Sequence, residues 1–94
     1  RREMSNRASI ELKTWPPYFE AVDKGIKPFE VRKDDRGFAV GDVLWLREYD
    51  PATGAYTGRE CYRKVTYVLR GYAPAVAEGY AVLGLCGHIP EAAQ

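Results

Sequence analysis

The sequence predicts a mainly β fold with one or two short helices (α+β), arranged as a small barrel of five to six strands. Its 94 residues are enough for one domain with one modest core. Residues 43–49, 60–69 and 80–85 contain alternating apolar and polar side chains, which is typical of strands with one buried face. One proline-led stretch near the N-terminus has helical character, so short strands dominate the chain.

The first half of the chain is predicted to form a strand, a helix and a second strand. Residues 10–13 read as a short strand that ends before two prolines. A helix is expected at 17–24, because proline is tolerated in the first helical turn, where its missing N–H is not needed. Gly25 suits the left-handed conformation that ends many helices. Residues 29–33 then form the second strand.

Three further strands are predicted after a turn-rich loop at 34–41. Residues 43–49 and 60–69 should form a hairpin closed at 50–54, which carries the Asp, Pro and Gly of a turn. After an irregular loop, 80–85 forms the closing strand. Eight apolar side chains on these strands are expected to be largely buried: Phe29, Val31, Leu44, Leu46, Val65, Tyr67, Val82 and Leu85.

One domain is expected at residues 10–87, between a flexible N-terminal segment at 1–9 and a C-terminal tail at 88–94. The composition, 46% hydrophobic and 29% charged, is that of an ordinary soluble protein. No apolar run of about 20 residues and no secretion signal is present, so we expect a cytoplasmic protein with no membrane partner. Cys61 and Cys86 lack metal-ligand spacing and are expected to be buried free thiols, so no metal or cofactor is indicated.

The net charge of +1 provides no global attraction to nucleic acid. Two segments, 24–36 and 59–70, nevertheless have a local excess of cations. If these segments meet in space, they form a moderate basic patch that suits a few phosphate contacts rather than a long track.

Three charged side chains stand where the predicted helix gives way to the second strand, in Gly25-Ile26-Lys27-Pro28-Phe29-Glu30-Val31-Arg32. Glu30 and Arg32 are two residues apart and therefore share one face of the strand. Together with Lys27 they can hold a polar ligand by its hydrogen-bonding edges. The same spacing also fits a solvated strand face with a local ion pair, which contributes little.

Further candidate ligand contacts lie near this motif. Lys13 and Lys27 flank the helix, and both can face the same mouth of the barrel as Glu30 and Arg32. Aromatic side chains at turns beside charged residues are candidates for stacking on a base; they are Trp15, Tyr18 and Phe38. Arg36 follows two aspartates and either contacts the ligand or pairs locally with them.

The motif Gly-x-Lys-x-x-Glu-x-Arg is the signature of ASCH domains, and the chain resembles this family of the PUA-like superfamily of small β-barrels. Residues 11–19, 32–36, 40–42 and 48–51 resemble a small uncharacterised bacterial and phage branch of it, and the resemblance covers about residues 10–86. That branch has a histidine before the Glu-Leu-Lys run, where this chain has Ile10.

The resemblance implies a nucleic-acid- or nucleotide-binding domain that takes RNA or a modified nucleotide in a cleft. The implied binding residues are Lys13, Trp15, Lys27, Glu30, Arg32 and Arg36. Lys27 and Arg32 would contact phosphate or a base edge, and Glu30 would accept hydrogen bonds from a base or hold Arg32 in position.

Two other function classes remain open. Some ASCH-fold proteins are amidohydrolases that act on acylated cytidine with a lysine and a threonine three residues later, and some relatives are ribonucleases. Lys27 matches that lysine, but Glu30 stands where the amidohydrolases have the threonine, so their presumed nucleophile is missing. A nucleoside-directed amidohydrolase or a ribonuclease built on this chain would use Lys27 and Glu30. A protein-binding adaptor is the second alternative, and an exposed apolar patch without a charged cleft would favour it.

Overall fold

The computed structural model describes residues 8–87, which form five strands and one helix. In chain order these are β1 (Ile10–Thr14), α1 (Pro16–Asp23), β2 (Phe29–Lys33), β3 (Val43–Asp50), β4 (Ala55–Leu69) and β5 (Tyr80–Leu85). Every predicted element is present. Most of the predicted flexible N-terminal segment, the C-terminal tail and the single histidine, His88, lie outside the described residues.

The five strands form one sheet in the order β1-β3-β4-β5-β2. β1 runs parallel to β3, and the other neighbours are antiparallel. The sheet curls until its two edge strands come into side-chain contact: Arg32 Nη2 on β2 donates to Thr14 Oγ1 on β1 at 3.0 Å. After β2, Arg36 Nη2 donates to the carbonyl of Glu11 at 3.3 Å. We call this contact line, formed by Glu11, Thr14, Arg32 and Arg36, the seam.

The mainly β prediction with one early helix is confirmed as a curled five-stranded half-barrel with α1 packed against its core. The core contains Ile10, Leu12, Phe19, Val22, Phe38, Leu44, Leu46, Cys61, Val65, Ala81, Leu83 and Leu85. Cys61 is buried, and this burial raises the pKa of its thiol to about 11. Cys86 is only half-buried, and both cysteines are free. No helix among residues 8–87 is long and apolar enough to cross a lipid bilayer.

The predicted orientation of β2 is wrong. Phe29 is 40% exposed and Val31 is 54% exposed, whereas Glu30 is 3% exposed. Alternation correctly identified which residues share a face, but not which face is inside. The inner face of β2 carries the ion pairs of Glu30 and the Arg32–Thr14 hydrogen bond of the seam, so the charged residues point inward and the apolar ones outward.

A second burial error comes from an irregularity in β4. Its pairing with β5 shifts between Val65 and Tyr67, so the alternation changes phase there. Val65 is buried as predicted, but Tyr67 is 62% exposed. Val82 on β5, which pairs with Leu69, is only half-buried. Phe38, expected at a stacking surface, is instead 2% exposed in the core.

The end of α1 sets the position of Lys27. Gly25 has a φ of 77°, and the backbone N–H groups of Gly25 and Ile26 donate to the carbonyls of Val22 and Ala21. The left-handed conformation predicted for Gly25 is confirmed, and the two hydrogen bonds form a Schellman motif. The N–H of Lys27 also donates to the Ala21 carbonyl at 3.0 Å, which ties the residue to the last turn of α1.

Candidate ligand-binding cleft

A cleft of about 390 Å³ opens beside the seam, between the end of β1, the start of α1 and the strand β2. It is lined by Lys13, Thr14, Trp15, Tyr18, Lys27, Glu30, Val31, Arg32 and Lys33. The structure therefore brings together five of the six binding residues expected from the sequence. Arg36 does not line the cleft, because its guanidinium is used at the seam.

Glu30 is the buried centre of the cleft. Its Oε1 accepts a hydrogen bond from Lys27 Nζ at 2.5 Å. Its Oε2 accepts from Arg32 Nε at 3.0 Å and from Arg32 Nη2 at 2.8 Å. Because the carboxylate is only 3% exposed, both ion pairs are shielded from water on the anion's side and are stronger than surface pairs. Glu30 therefore fixes both cations relative to β2.

Thr14 lines the cleft and was not expected there from the sequence. Its side chain is buried, its hydroxyl donates to the Leu12 carbonyl at 3.4 Å, and the same oxygen accepts from Arg32 Nη2 at 3.0 Å. The available signal was the alternation of Ile10 and Leu12, which continues inward at position 14. Thr14 thus accepts from the same Arg32 nitrogen, Nη2, that also donates to Glu30.

Aromatic rings stand at the edge of the cleft. Trp15 is 52% exposed and Tyr18 is 55% exposed, both at the start of α1. The ammonium of Lys27 lies 5.7 Å from the centroid of the Tyr18 ring. The ammonium of Lys13 lies 4.2 Å from the centroid of Tyr49, a cation–π contact with a ring that does not itself line the cleft. The cleft therefore offers ring surfaces next to cations.

The charge of the cleft is strongly positive. Four cationic side chains line it against one carboxylate, and the added cation that sequence reasoning missed is Lys33. The start of α1 adds no free backbone N–H, because Pro16 and Pro17 have none and the next two N–H groups donate to the carbonyl of Trp15. An anion in the cleft would therefore be bound by side chains.

The second cation-rich segment does not extend this positive surface. Arg59 pairs with Glu20 at 3.0 Å and with Asp23 at 3.3 Å. Arg70 pairs with Asp34 at 2.6 Å, so the two segments do meet, but as a neutral pair. The hydrogen bond from Arg70 lowers the pKa of Asp34, and those from Lys24 and Arg59 lower the pKa of Glu20.

Arg63, the remaining arginine of the segment 59–70, is buried and donates to backbone carbonyls at the end of α1. Its guanidinium therefore anchors the end of α1 to β4. Within residues 8–87, no group of three or more His, Cys, Asp or Glu side chains is arranged to hold a metal ion.

Comparison with known proteins assigns the chain to a protein family. The family model described as "Domain of unknown function (DUF3850)" matches residues 10–85, the segment that carries every strand, the helix and the cleft. The chain belongs to this family.

A phage relative supports the phage and bacterial affiliation expected from the sequence. The chain is 40% identical over 58 residues to the "Uncharacterized 12.9 kDa protein in GpA 3'region" of Escherichia phage P2. The alignment covers 62% of this chain and 51% of that protein, so the chain spans about half the length of the relative it matches.

Proposed function

We propose that this DUF3850 domain binds a nucleotide, or a short stretch of RNA, in the cleft beside the seam. The observation that carries the proposal is the convergence of four cations and two exposed aromatic rings on one cleft of about 390 Å³. This volume lies at the lower end of the range typical of small-molecule sites. It suits one nucleotide unit rather than a long nucleic-acid track.

The two kinds of side chain have complementary roles in this proposal. Lys27 and Arg32, held by Glu30, contact phosphate oxygens through charge-assisted hydrogen bonds. Trp15 and Tyr18 stack on the base, and each such contact is worth about 1–3 kcal/mol. The resemblance of the motif from Gly25 to Arg32 to ASCH domains of the PUA-like superfamily supports the same assignment.

The environment of Glu30 favours binding over hydrolysis. Both of its carboxylate oxygens already accept hydrogen bonds from cations, and the group is almost fully buried. A general base needs an oxygen within reach of the proton that it removes. Glu30 is therefore assigned as a positioning residue, and turnover of acylated nucleosides or RNA is the outcome that would restore the enzymatic alternative.

The experiment is a titration of nucleoside monophosphates and short single-stranded RNA into the protein at low salt, followed by calorimetry. Lys27→Ala should weaken binding by about 1.5–3 kcal/mol, the value of a hydrogen bond to a charged group. Lys64→Ala is the matched control, because Lys64 is an exposed lysine on β4 outside the cleft.

Three results would reject the proposal. They are no binding of any nucleotide or RNA, an equal loss of affinity in both lysine variants, and binding of a protein partner alone, as the adaptor alternative requires. For single-stranded RNA, the logarithm of the binding constant should fall by about 0.7 for each tenfold rise in salt concentration and each phosphate bound.

A further inference from the structure

The free polar groups of the cleft are almost entirely hydrogen-bond donors. Within residues 8–87, two of the three N–H groups of Lys27 and both on Nη1 of Arg32 have no hydrogen-bond partner. The acceptors, in contrast, already have partners: Glu30 Oε1 accepts one hydrogen bond and Oε2 accepts two, in a residue that is only 3% exposed, and the Thr14 hydroxyl lies between Arg32 and a backbone carbonyl. The ligand must therefore present several acceptors at this point.

The excess of positive charge is larger than an internal phosphate of RNA can neutralise. The cleft has four cations against one carboxylate, within the volume of about one nucleotide. An internal phosphodiester brings one negative charge. A terminal phosphate monoester brings about 1.5–2 negative charges at pH 7 and three strong acceptor oxygens.

We propose that the cleft selects a terminal phosphate, on a free nucleotide or on the end of an RNA strand, over an internal phosphodiester. This inference rests on the proposed function and specifies its ligand. Lys27 and Arg32, fixed by Glu30, donate to the phosphate oxygens. Lys13 and Lys33, both exposed, supply the charge that distinguishes a dianion from a monoanion.

Adenosine 5′-monophosphate and adenosine 3′,5′-cyclic monophosphate test the inference, because they share base and sugar but differ in phosphate charge. The monoester should bind about tenfold more tightly, the equivalent of one charge-assisted hydrogen bond. Its affinity should rise between pH 5 and 7, because the second phosphate proton leaves near pH 6, while the affinity of the cyclic diester stays flat.

Short RNAs with a 5′-phosphate, a 3′-phosphate or only hydroxyl ends identify the source of the terminal group. If either phosphorylated RNA binds more tightly than the hydroxyl form, the source is a strand end. If the three RNAs bind equally but adenosine 5′-monophosphate binds more tightly than the cyclic diester, the source is a free nucleotide. Both results support the inference, and equal binding of all three RNAs together with equal binding of the two adenosine ligands overturns it.

Charge variants on the exposed part of the cleft provide a second readout. Lys13→Gln and Lys33→Gln should each reduce the ratio of monoester to cyclic diester affinity, whereas Lys64→Gln should leave it unchanged. An unchanged ratio in the cleft variants overturns the inference but not the proposed function. Failure of every nucleotide and RNA to bind the wild type overturns both.

Discussion

Arg32 Nη2 lies 3.0 Å from Thr14 Oγ1, so one side-chain hydrogen bond joins the two edge strands of the sheet. The same nitrogen donates to Glu30, which also binds Lys27. The contact that draws the half-barrel together is therefore part of the contact network that arranges cations in the cleft. Substitutions at this point are expected to affect stability and binding together.

Replacing Thr14 with valine tests the link between the edge strands. Thr14→Val keeps the shape of the buried side chain but removes the acceptor for Arg32, and we expect a loss of about 1 kcal/mol in the free energy of unfolding. Urea denaturation measures it. Thr66→Val, at an exposed site on β4, is the control and should stay within about 0.5 kcal/mol. Equal effects of the two substitutions would contradict the role of Thr14.

Replacing Glu30 with glutamine tests whether the carboxylate holds the cleft. Glu30→Gln preserves size but removes the charge that two cations share, so we expect a destabilisation of about 2 kcal/mol. Glu78→Gln removes a carboxylate from an exposed position and should have little effect. A Glu30→Gln protein as stable as the wild type in urea or thermal denaturation would show that the ion pairs are not structural.

The orientation of β2 can be tested with two valines. Val65 is fully buried, so Val65→Ala should cost about 2 kcal/mol. Val31 is more than half exposed, so Val31→Ala should cost less than about 1 kcal/mol. Chemical denaturation of both variants gives the comparison. A larger loss at Val31 than at Val65 would restore the orientation that the sequence predicted.

The fold was largely predictable because its strands alternate and its turns carry glycine, proline and aspartate. The orientation of β2 was not predictable from the sequence. The same alternation fits a strand whose apolar side chains face a core and a strand whose charged side chains form a buried ion-pair network. The local irregularity that turns Tyr67 outward leaves no distinct sequence pattern. The predicted start of β4 was late because Tyr56 still pairs with Tyr49 beyond the shift in register.

The cleft was predictable in part. The spacing of Lys27, Glu30 and Arg32 marked its centre, and the prolines before α1 marked the exposed Trp15. The role of Thr14 depends on the curl of the whole sheet, which brings together residues 18 positions apart. Arg36 lies outside the cleft: it is 3.9 Å from Asp35, the local pair that the sequence also allowed, and it donates to a backbone carbonyl on the opposite edge strand.

The ion pair between Asp34 and Arg70 predicts a pH dependence of stability. Arg70 lowers the pKa of Asp34 in the folded protein, so the pair stabilises the fold above the unfolded-state pKa, about 3.9. That contribution is lost as the pH falls through the lower folded-state value. Asp34→Asn should therefore be less stable than the wild type at pH 7, and the difference should shrink below about pH 4.

Urea denaturation at pH 7 and at lower pH measures this difference. The neighbouring Asp35→Asn is the control, because Asp35 is exposed and its nearest cation, Arg36, is 3.9 Å away, farther than Arg70 is from Asp34. A difference between wild type and Asp34→Asn that is constant with pH would show that the pair contributes no pH-dependent stability.

The most direct test of the cleft as the binding site is a nuclear magnetic resonance titration of the labelled protein with a nucleoside 5′-monophosphate. The account predicts that amide shifts change at residues 13–18 and 27–33, which border the cleft. The centre of β4 around Lys64, two strands from either edge of the sheet, should not respond. Shifts confined to the hairpin or to the outer face of β4 and β5, or no shifts at low salt and millimolar ligand, would contradict the central claim.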